Sequence, residues 1–251
     1  MISGLRPKPP TGRAKTGVMT MTNPQVSAET IEALRQIDSA TVSNAIEHFG
    51  VRDQVTGYIS MEMNCQFPDH KPMVGFAVTA THDTTTAGDD RLMRLHDVMD
   101  MVLDAPSPTV LAVQYMGPDR MRSCLAGDMF CSAIQKLGAV GLVTDLGCRD
   151  FAGIRQRAPG FQLFCPGAVV SHGYGVYIDL DITVSICGLT IQPGDLLHGD
   201  ANGIVSIPLA IVDDLVEQAQ NVLATETSYF DFLASDDYNY DGLKARMGRH
   251  E

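Results

Sequence analysis

The first half of the chain shows two hydrophobic periods, and each predicts a different kind of element. Apolar residues recur at helical spacing after the N-terminal segment, so two short helices are predicted, the second capped by Ser39 and ending at His48. The alternating, β-branched segment 73–81 predicts a strand. Helical spacing returns over 89–103, and a strand is predicted over 109–115. Alternating helices and strands favour an α/β fold.

The middle of the chain places a polar turn directly after a buried strand. A helix is predicted from about Asp128 to Leu137, where Gly138 stops it, and a strand follows over 139–144. The polar sequence 145–150 then predicts a turn at the carboxyl end of that strand. Because α/β sheets commonly hold ligands at this edge, the turn is the first candidate for a functional site.

The last third changes to short β-rich runs and then to one helix. Turns containing glycine or proline interrupt residues 176–208, which predicts several strands, and 200–203 is predicted to close a hairpin. The apolar face of the helix that follows carries Ile211, Leu215, Val216, Ala219 and Leu223. We predict one α/β domain over 27–228 with helices at both ends, preceded by a disordered extension (1–26) and followed by a polar surface tail (229–251).

The charge balance argues against a nucleic-acid partner. The 251 residues include 30 acidic residues against 18 Lys and Arg, a formal net charge of −12, which repels phosphate backbones. The 6 cysteines form no CxxC pair, which favours reduced thiols and a cytoplasmic location. No apolar run approaches the roughly 18 residues that span a bilayer, so no membrane association is expected.

The candidate chemistry lies between the start of the predicted helix at Gly127 and the turn that ends at Asp150. The N–H groups of residues 128–130 have no partner within such a helix, and with the positive end of its dipole they suit a carboxylate. Arg149 and Asp150 put a cation beside a carboxylate that could bind a metal ion. This combination predicts a site for a small oxo-acid.

The spacing of these residues resembles the RraA-like family, which includes the 4-hydroxy-4-methyl-2-oxoglutarate aldolases and the 4-carboxy-4-hydroxy-2-oxoadipate aldolases. The resemblance rests on Gly127-Asp128, on 138–150 read as G-x-x-G-x-V-x-D-x-G-x-R-D, and on 193–208. Weaker agreement appears in 41–45, 75–79 and 88–90. The resemblance implies the swivelling β/β/α fold of that family, within a single α/β domain with N- and C-terminal helices.

The resemblance also implies a role for each residue of the candidate site. Asp150 would bind Mg²⁺ or Mn²⁺, Arg149 would engage the keto oxygen of a pyruvyl group, and Asp128 would hold a metal-bound water. The backbone at Met129 and Phe130, with the preceding glycine at 127, would receive the substrate carboxylate.

A glutamate from the C-terminal helix of a neighbouring subunit completes the site in the family. Glu226 is the best positional match for this metal ligand and Glu217 the second, so the resemblance implies a homotrimer or a hexamer. The chain departs from the family at two places: Leu146 follows Asp145 where the family reads Asp-Gly, and Asn44 stands where relatives often carry Asp. Neither departure removes a metal ligand.

The implied activity is a metal-dependent carbon–carbon lyase, an aldolase for 4-hydroxy-2-oxo acids that also decarboxylates oxaloacetate. Both reactions leave pyruvate enolate, whose charge a divalent ion and Arg149 would stabilise. Water polarised by Asp128 is the candidate base. A Schiff base would need a buried lysine, whereas Lys136 and Lys71 are predicted at a helix end and in a loop. Cys148 has no evident partner base.

The alternative is a non-catalytic regulator, because RraA itself acts on a ribonuclease. An acidic surface would suit a basic partner segment. Retention of the set Asp128, Arg149 and Asp150 favours the enzyme, since a pure regulator would not need it.

Overall fold

The computed structural model describes residues 26–87 and 94–247. The predicted extension 1–26 therefore lies outside the described residues except for Val26, as does the start of the helix predicted over 89–103. The described helices are α1 (Ala28–Leu34), α2 (Ser39–Glu47), α3 (Leu95–Asp104), α4 (Asp128–Lys136), α5 (Phe151–Arg157), α6 (Val212–Ala234) and α7 (Tyr240–Met247).

The strands include those that the hydrophobic pattern predicts and four short ones that it does not, over 64–65, 124–126, 147–148 and 162–165. They are β1 (Asn64–Cys65), β2 (Met73–Asp83), β3 (Thr109–Tyr115), β4 (Cys124–Ala126), β5 (Ala139–Thr144), β6 (Gly147–Cys148), β7 (Gln162–Cys165), β8 (Val176–Leu180), β9 (Val184–Ile186), β10 (Leu189–Ile191), β11 (Leu196–Asp200) and β12 (Gly203–Ile207). The strands predicted over 109–115 and 139–144 match β3 and β5 to the residue.

One mixed sheet organises the domain, in the order β1-β7-β5-β3-β2-β11-β12, with β8 pairing to β2. Strands β7, β5, β3 and β2 run parallel, and β11 joins β2 in the antiparallel sense. Strand β2 is buried along its length except at Asp83. It reaches every part of the core: Val74 packs with α1, α2 and α6, Val78 packs under α3, α4 and α5, and Ala77 faces the β9–β10 hairpin.

A buried polar network ties the first two helices to β11. His198, on β11, meets the Ser39 hydroxyl with Nδ1 at 2.9 Å and the Leu34 carbonyl with Nε2 at 3.0 Å. Asp200 accepts a hydrogen bond from the Ser39 backbone N–H. Ser39 is therefore not the helix cap that the pattern predicts: Asp38 caps α2 through the N–H groups of residues 40 and 41, because the Ser39 side chain is engaged with the histidine.

Three further predictions are corrected. Residues 145–150 are not wholly a polar turn, since Gly147 and Cys148 form a buried strand that pairs with β4. Helix α6 continues to Ala234 and α7 follows, so the boundary placed before residue 229 falls inside a helix. On α6 Val222 is buried in the core, whereas Leu223, which is predicted on the apolar face, is 38% exposed.

The predicted fold class is confirmed: a mixed α/β domain with helices at both ends of the chain. The hairpin predicted at residues 200–203 is also present, where Asp200 pairs with Gly203. Among the described helices, none combines the length and the apolar content that crossing a bilayer requires.

Candidate functional site

Helix α4 begins without a capping side chain among the described residues. Gly127 precedes it in an extended conformation. The N–H groups of Asp128, Met129 and Phe130 lie before the first intrahelical bond, which Cys131 donates to the Gly127 carbonyl. These groups and the positive helix end can bind an anion, as the sequence predicts.

The turn that carries Arg149 and Asp150 is fixed by the backbone on both sides. The Arg149 N–H donates to the Ala126 carbonyl at 2.9 Å, which holds the turn against the strand that leads into α4. Asp150 adopts φ 59° and ψ 35°, a left-handed conformation that aspartate tolerates better than most residues. Its carbonyl accepts from the Ile154 N–H at 2.8 Å, which opens α5.

Gly127 brings the two segments into contact. A Cβ built on Gly127 would lie 2.5 Å from Asp150 Oδ2 and 3.2 Å from Arg149 Nε, so only a residue without a side chain leaves room for both. The two side chains also meet each other, with Arg149 Nε 3.3 Å from Asp150 Oδ2. The structure thus places the predicted residues Arg149 and Asp150 against Gly127, directly before the predicted Asp128, which is the first residue of α4.

Sequence reasoning missed one charged neighbour, Arg157. Its Nη1 donates to Asp128 Oδ2 at 2.5 Å across the α4–α5 contact. Gly153 makes this contact possible, because a Cβ there would lie 2.6 Å from Asp128 Oδ2 and 2.7 Å from Arg157 Nη1. The available signal was weak: residues 150, 153 and 157 share one face of α5 by helical spacing, but spacing does not show what that face meets.

Within one chain, Glu226 is separate from this site. It lines a groove of about 990 Å³ between α2 and α6, to which Asn44, Gln218, Tyr229 and Phe230 also contribute. None of the residues 127–130 or 149–150 lines that groove. Glu217 is exposed on the same helix. A role for either glutamate therefore requires a second copy of the chain.

The two carboxylates near the start of α4 are of a type that binds hard divalent cations. In the part of the chain that the structure describes, no group of three or more His, Cys, Asp or Glu side chains could hold a metal ion. Asp128 and Asp150 are two carboxylates beside an anion-binding helix start, and Mg²⁺ is commonly bound by one or two carboxylates with waters completing its coordination. The side chains of Asp128 and Asp150 are 20% and 42% exposed, so water can reach both.

The competing nucleophiles are poorly placed. Cys148 is fully buried, and its contact with Cys165 together with burial raises the pKa of its thiol. It therefore stays protonated and unreactive. Lys136 and Lys71 are both exposed, and Lys71 forms an ion pair with Glu32. Neither has the desolvated surroundings that a Schiff-base lysine needs.

Comparisons with known proteins identify the family to which the chain is similar. A family profile described as RraA-like, Aldolase/RraA, matches residues 39–206. A relative from Halalkalibacterium halodurans, named “Putative 4-hydroxy-4-methyl-2-oxoglutarate aldolase”, is 28% identical over 130 residues, which are 51% of this chain and 60% of the relative. One of the same name from Ectopseudomonas mendocina is 34% identical over 96 residues, 38% of this chain and 58% of the relative. The chain thus spans about three fifths of the length of these relatives.

The fold is also found among solved structures. Streptomyces coelicolor RraAS2, described as an unusual member of the RNase ES inhibitor RraA protein family, superposes with a TM-score of 0.62 and 22% identity. The match covers 82% of this chain and 96% of that chain. At this identity the likeness shows a shared fold, and the function has to be argued from the site.

Proposed function

Because the chain belongs to the RraA-like family, we propose that it is a divalent-metal-dependent carbon–carbon lyase. It cleaves 4-hydroxy-2-oxo acids of the 4-hydroxy-4-methyl-2-oxoglutarate type to pyruvate, and it decarboxylates oxaloacetate. The observation that carries the proposal is the close contact of Arg149 and Asp150 with Gly127 at the uncapped start of α4, whose first residue is Asp128. A shared fold alone would not require this contact.

A divalent ion, Mg²⁺ or Mn²⁺, fits the residues present. Asp150 would hold it directly and Asp128 through water, and the missing side chain at Gly127 leaves the space that the Asp150 carboxylate occupies. When bound, such an ion acts as a Lewis acid for the charge of the enolate. In the proposed homotrimer or hexamer, Glu226 of the partner subunit would complete the site.

The residues of the chain itself orient the substrate and handle its charge and proton. The N–H groups of Met129 and Phe130 bind the substrate carboxylate at the helix start. Arg149 donates to the keto oxygen, and a single fixed donor at a developing oxyanion is worth about 3–4 kcal/mol of barrier in well-studied enzymes. Asp128 accepts, through water, the proton of the substrate hydroxyl and would return it to the methylene carbon of the enolate, which gives pyruvate. Decarboxylation needs no base, because CO₂ leaves without a proton to remove, and the enolate then takes its proton from water.

The test is the release of pyruvate from oxaloacetate and from 4-hydroxy-4-methyl-2-oxoglutarate, followed by coupling to lactate dehydrogenase. We expect release to require Mg²⁺ or Mn²⁺ and to stop with excess chelator. Metal ions decarboxylate oxaloacetate slowly by themselves, so the rate without protein is subtracted. Release that continues undiminished in the chelator would contradict the metal-dependent mechanism.

The alternative, a protein regulator that binds a ribonuclease, is favoured by the net charge of −12, which suits a basic partner. The two functions respond differently to one variant. Asp150→Asn would stop pyruvate release by an enzyme, whereas a regulator would inhibit its ribonuclease equally well with or without this substitution.

A further inference from the structure

Arg157 places a second cation beside the candidate site. It lies about two helical turns along α5 from Asp150, on the same face of that helix. Its side chain is 58% exposed although it is paired with Asp128. Only Nη1 makes a hydrogen bond to the described residues, so the other N–H groups of the guanidinium point to no protein acceptor in that part of the chain.

The position of Arg157 is built into the packing of α4 against α5. Gly153 leaves the notch in which the Asp128 and Arg157 side chains meet. The Asp128 carboxylate is mostly covered, since 20% of its side chain is exposed. The pair therefore depends on a close approach of α4 and α5 that a glycine at position 153 leaves room for.

The site offers separate places for two carboxylates. Asp128 and Asp150 balance Arg149 and Arg157, so the four side chains sum to zero. A divalent cation and the partner's Glu226, both part of the proposed function, would raise this sum to +1, which favours an anionic ligand. One carboxylate of a dicarboxylic ligand has a place at the start of α4, and Arg157 is the cation left for the other.

We propose that Arg157 is a specificity-determining residue that binds the second carboxylate of a dicarboxylic 2-oxo acid. The inference rests on the proposed function, which places the first carboxylate of the ligand at the start of α4. The role of Arg157 could not be predicted from the sequence. Arginine suits this role because its planar guanidinium can donate to Asp128 and to a substrate carboxylate at the same time.

The experiment compares two ligands of equal length that cannot undergo retro-aldol cleavage. 2-Oxoglutarate ends in a carboxylate and 2-oxopentanoate in a methyl group, and their binding is measured by titration calorimetry with and without Mg²⁺. The variant is Arg157→Gln. Arg155→Gln is the matched control, because Arg155 lies on the same helix, pairs with Asp69 and stacks on Phe67 outside the site.

We expect the unaltered protein to bind 2-oxoglutarate more tightly than 2-oxopentanoate. Arg157→Gln should reduce this preference about 5- to 10-fold, the size of one partly exposed charged hydrogen bond. Arg155→Gln should leave the preference unchanged, and Arg157→Lys should restore part of it. Binding of both ligands weakened equally by Arg157→Gln would overturn the proposal, since Arg157 would then only position Asp128. Failure of the unaltered protein to bind either ligand would also overturn it.

The outcomes separate this inference from the proposed function. Metal-dependent pyruvate release with an unchanged ligand preference in Arg157→Gln would leave the lyase standing and remove the role of Arg157. A preference that depends on Arg157 without any pyruvate release would leave a dicarboxylate site standing and remove the lyase.

Discussion

Two polar clusters in this fold contain residue types that serve as catalytic groups in enzymes. The His198 cluster consists of Ser39, His198 and Asp200. The Asp150 cluster consists of Asp128, Arg149 and Asp150. The first has the residue types of a hydrolase triad, yet His198 is fully buried and both of its ring nitrogens are occupied by the Ser39 hydroxyl and the Leu34 carbonyl. Its chemistry is complete without a ligand.

The Asp150 cluster differs because it lies beside backbone N–H groups that no side chain among the described residues caps. Its side chains are 20% to 42% exposed, and the helix start beside them has no cap among the described residues. A helix start without a side-chain cap leaves its first N–H groups to water or to a bound anion, and the start of α4 lies against Arg149 and Asp150. The two clusters therefore differ in whether their polar groups are already used within the protein.

The largest effect expected is that of Asp150→Asn on pyruvate release. The substitution removes the negative charge but keeps a residue that tolerates the left-handed conformation at this position. We expect kcat/KM to fall at least about 100-fold, in line with the loss of one key electrostatic group. The melting temperature should barely change, because exposed substitutions usually alter stability by less than about 0.5 kcal/mol. An equally active variant would exclude Asp150 from the site.

His198→Leu should produce the opposite result, a large loss of stability with little loss of activity. The leucine would leave the Ser39 hydroxyl and the Leu34 carbonyl buried without their partner, which costs about 2–4 kcal/mol in the free energy of unfolding. Urea denaturation measures this loss, and activity is compared per folded molecule. His96→Leu, at an exposed position of α3, is the control. Unchanged stability in His198→Leu would show that the network contributes nothing.

Gly127→Ala tests whether the open cluster needs the space that a glycine leaves. The new methyl group would lie 2.5 Å from Asp150 Oδ2, so the carboxylate has to shift. We expect kcat/KM to fall about 10- to 100-fold, since small displacements of reacting groups have effects of this size. Gly167→Ala is the matched control, because a Cβ at Gly167 would have nothing within 4 Å. Equal activity of both variants would contradict the packing argument.

The sequence predicts elements best where local signals agree. The strand over 139–144 is reproduced to the residue because a helix stop precedes it, and Gly138 does adopt φ 111°. The pattern predicts Ser39 as the cap of α2, whereas Asp38 caps it in the structure, because two adjacent residues can each serve as a cap. The choice depends on His198, which is 159 positions away in the chain. No local pattern contains that information.

The candidate site also contains one part that the sequence predicts and one part that it does not. Helix and strand order place the start of α4 near the turn at Arg149, so the convergence with Asp150 could be anticipated from the sequence. The partnership of Arg157 with Asp128 could not, because it depends on the packing of α5 and on a glycine that fits the contact. The role of Glu226 depends on a second copy of the chain and stays a prediction.

The smallest effect concerns His82, a buried histidine that belongs to neither kind of cluster. Its Nδ1 has no hydrogen-bond partner among the described residues, and its ring packs edge-on against Tyr177 with centroids 4.4 Å apart. Burial lowers the pKa of His82 to about 4, well below the ordinary value of 6.5 for a histidine. The unfolded chain therefore binds a proton at this residue more readily than the folded chain between these two pH values. Stability is complete above about pH 6.5 and declines as the pH falls towards 4.

Unfolding by urea at pH 7.5 and at pH 5.5 measures this decline. His82 alone should lower the free energy of unfolding by about 1 kcal/mol between the two. His198, whose pKa is also lowered by burial, adds to the decline, whereas Asp145 and Asp195, whose pKa values burial raises, oppose it at lower pH. His82→Phe isolates the contribution, because it keeps the ring contact and removes the titration. If the free energy of unfolding of the variant depends on pH in the same way, His82 is not the source of the decline. If this dependence is weaker and the variant is at least as stable at pH 7.5, His82 is a buried polar group that contributes no stability to the fold.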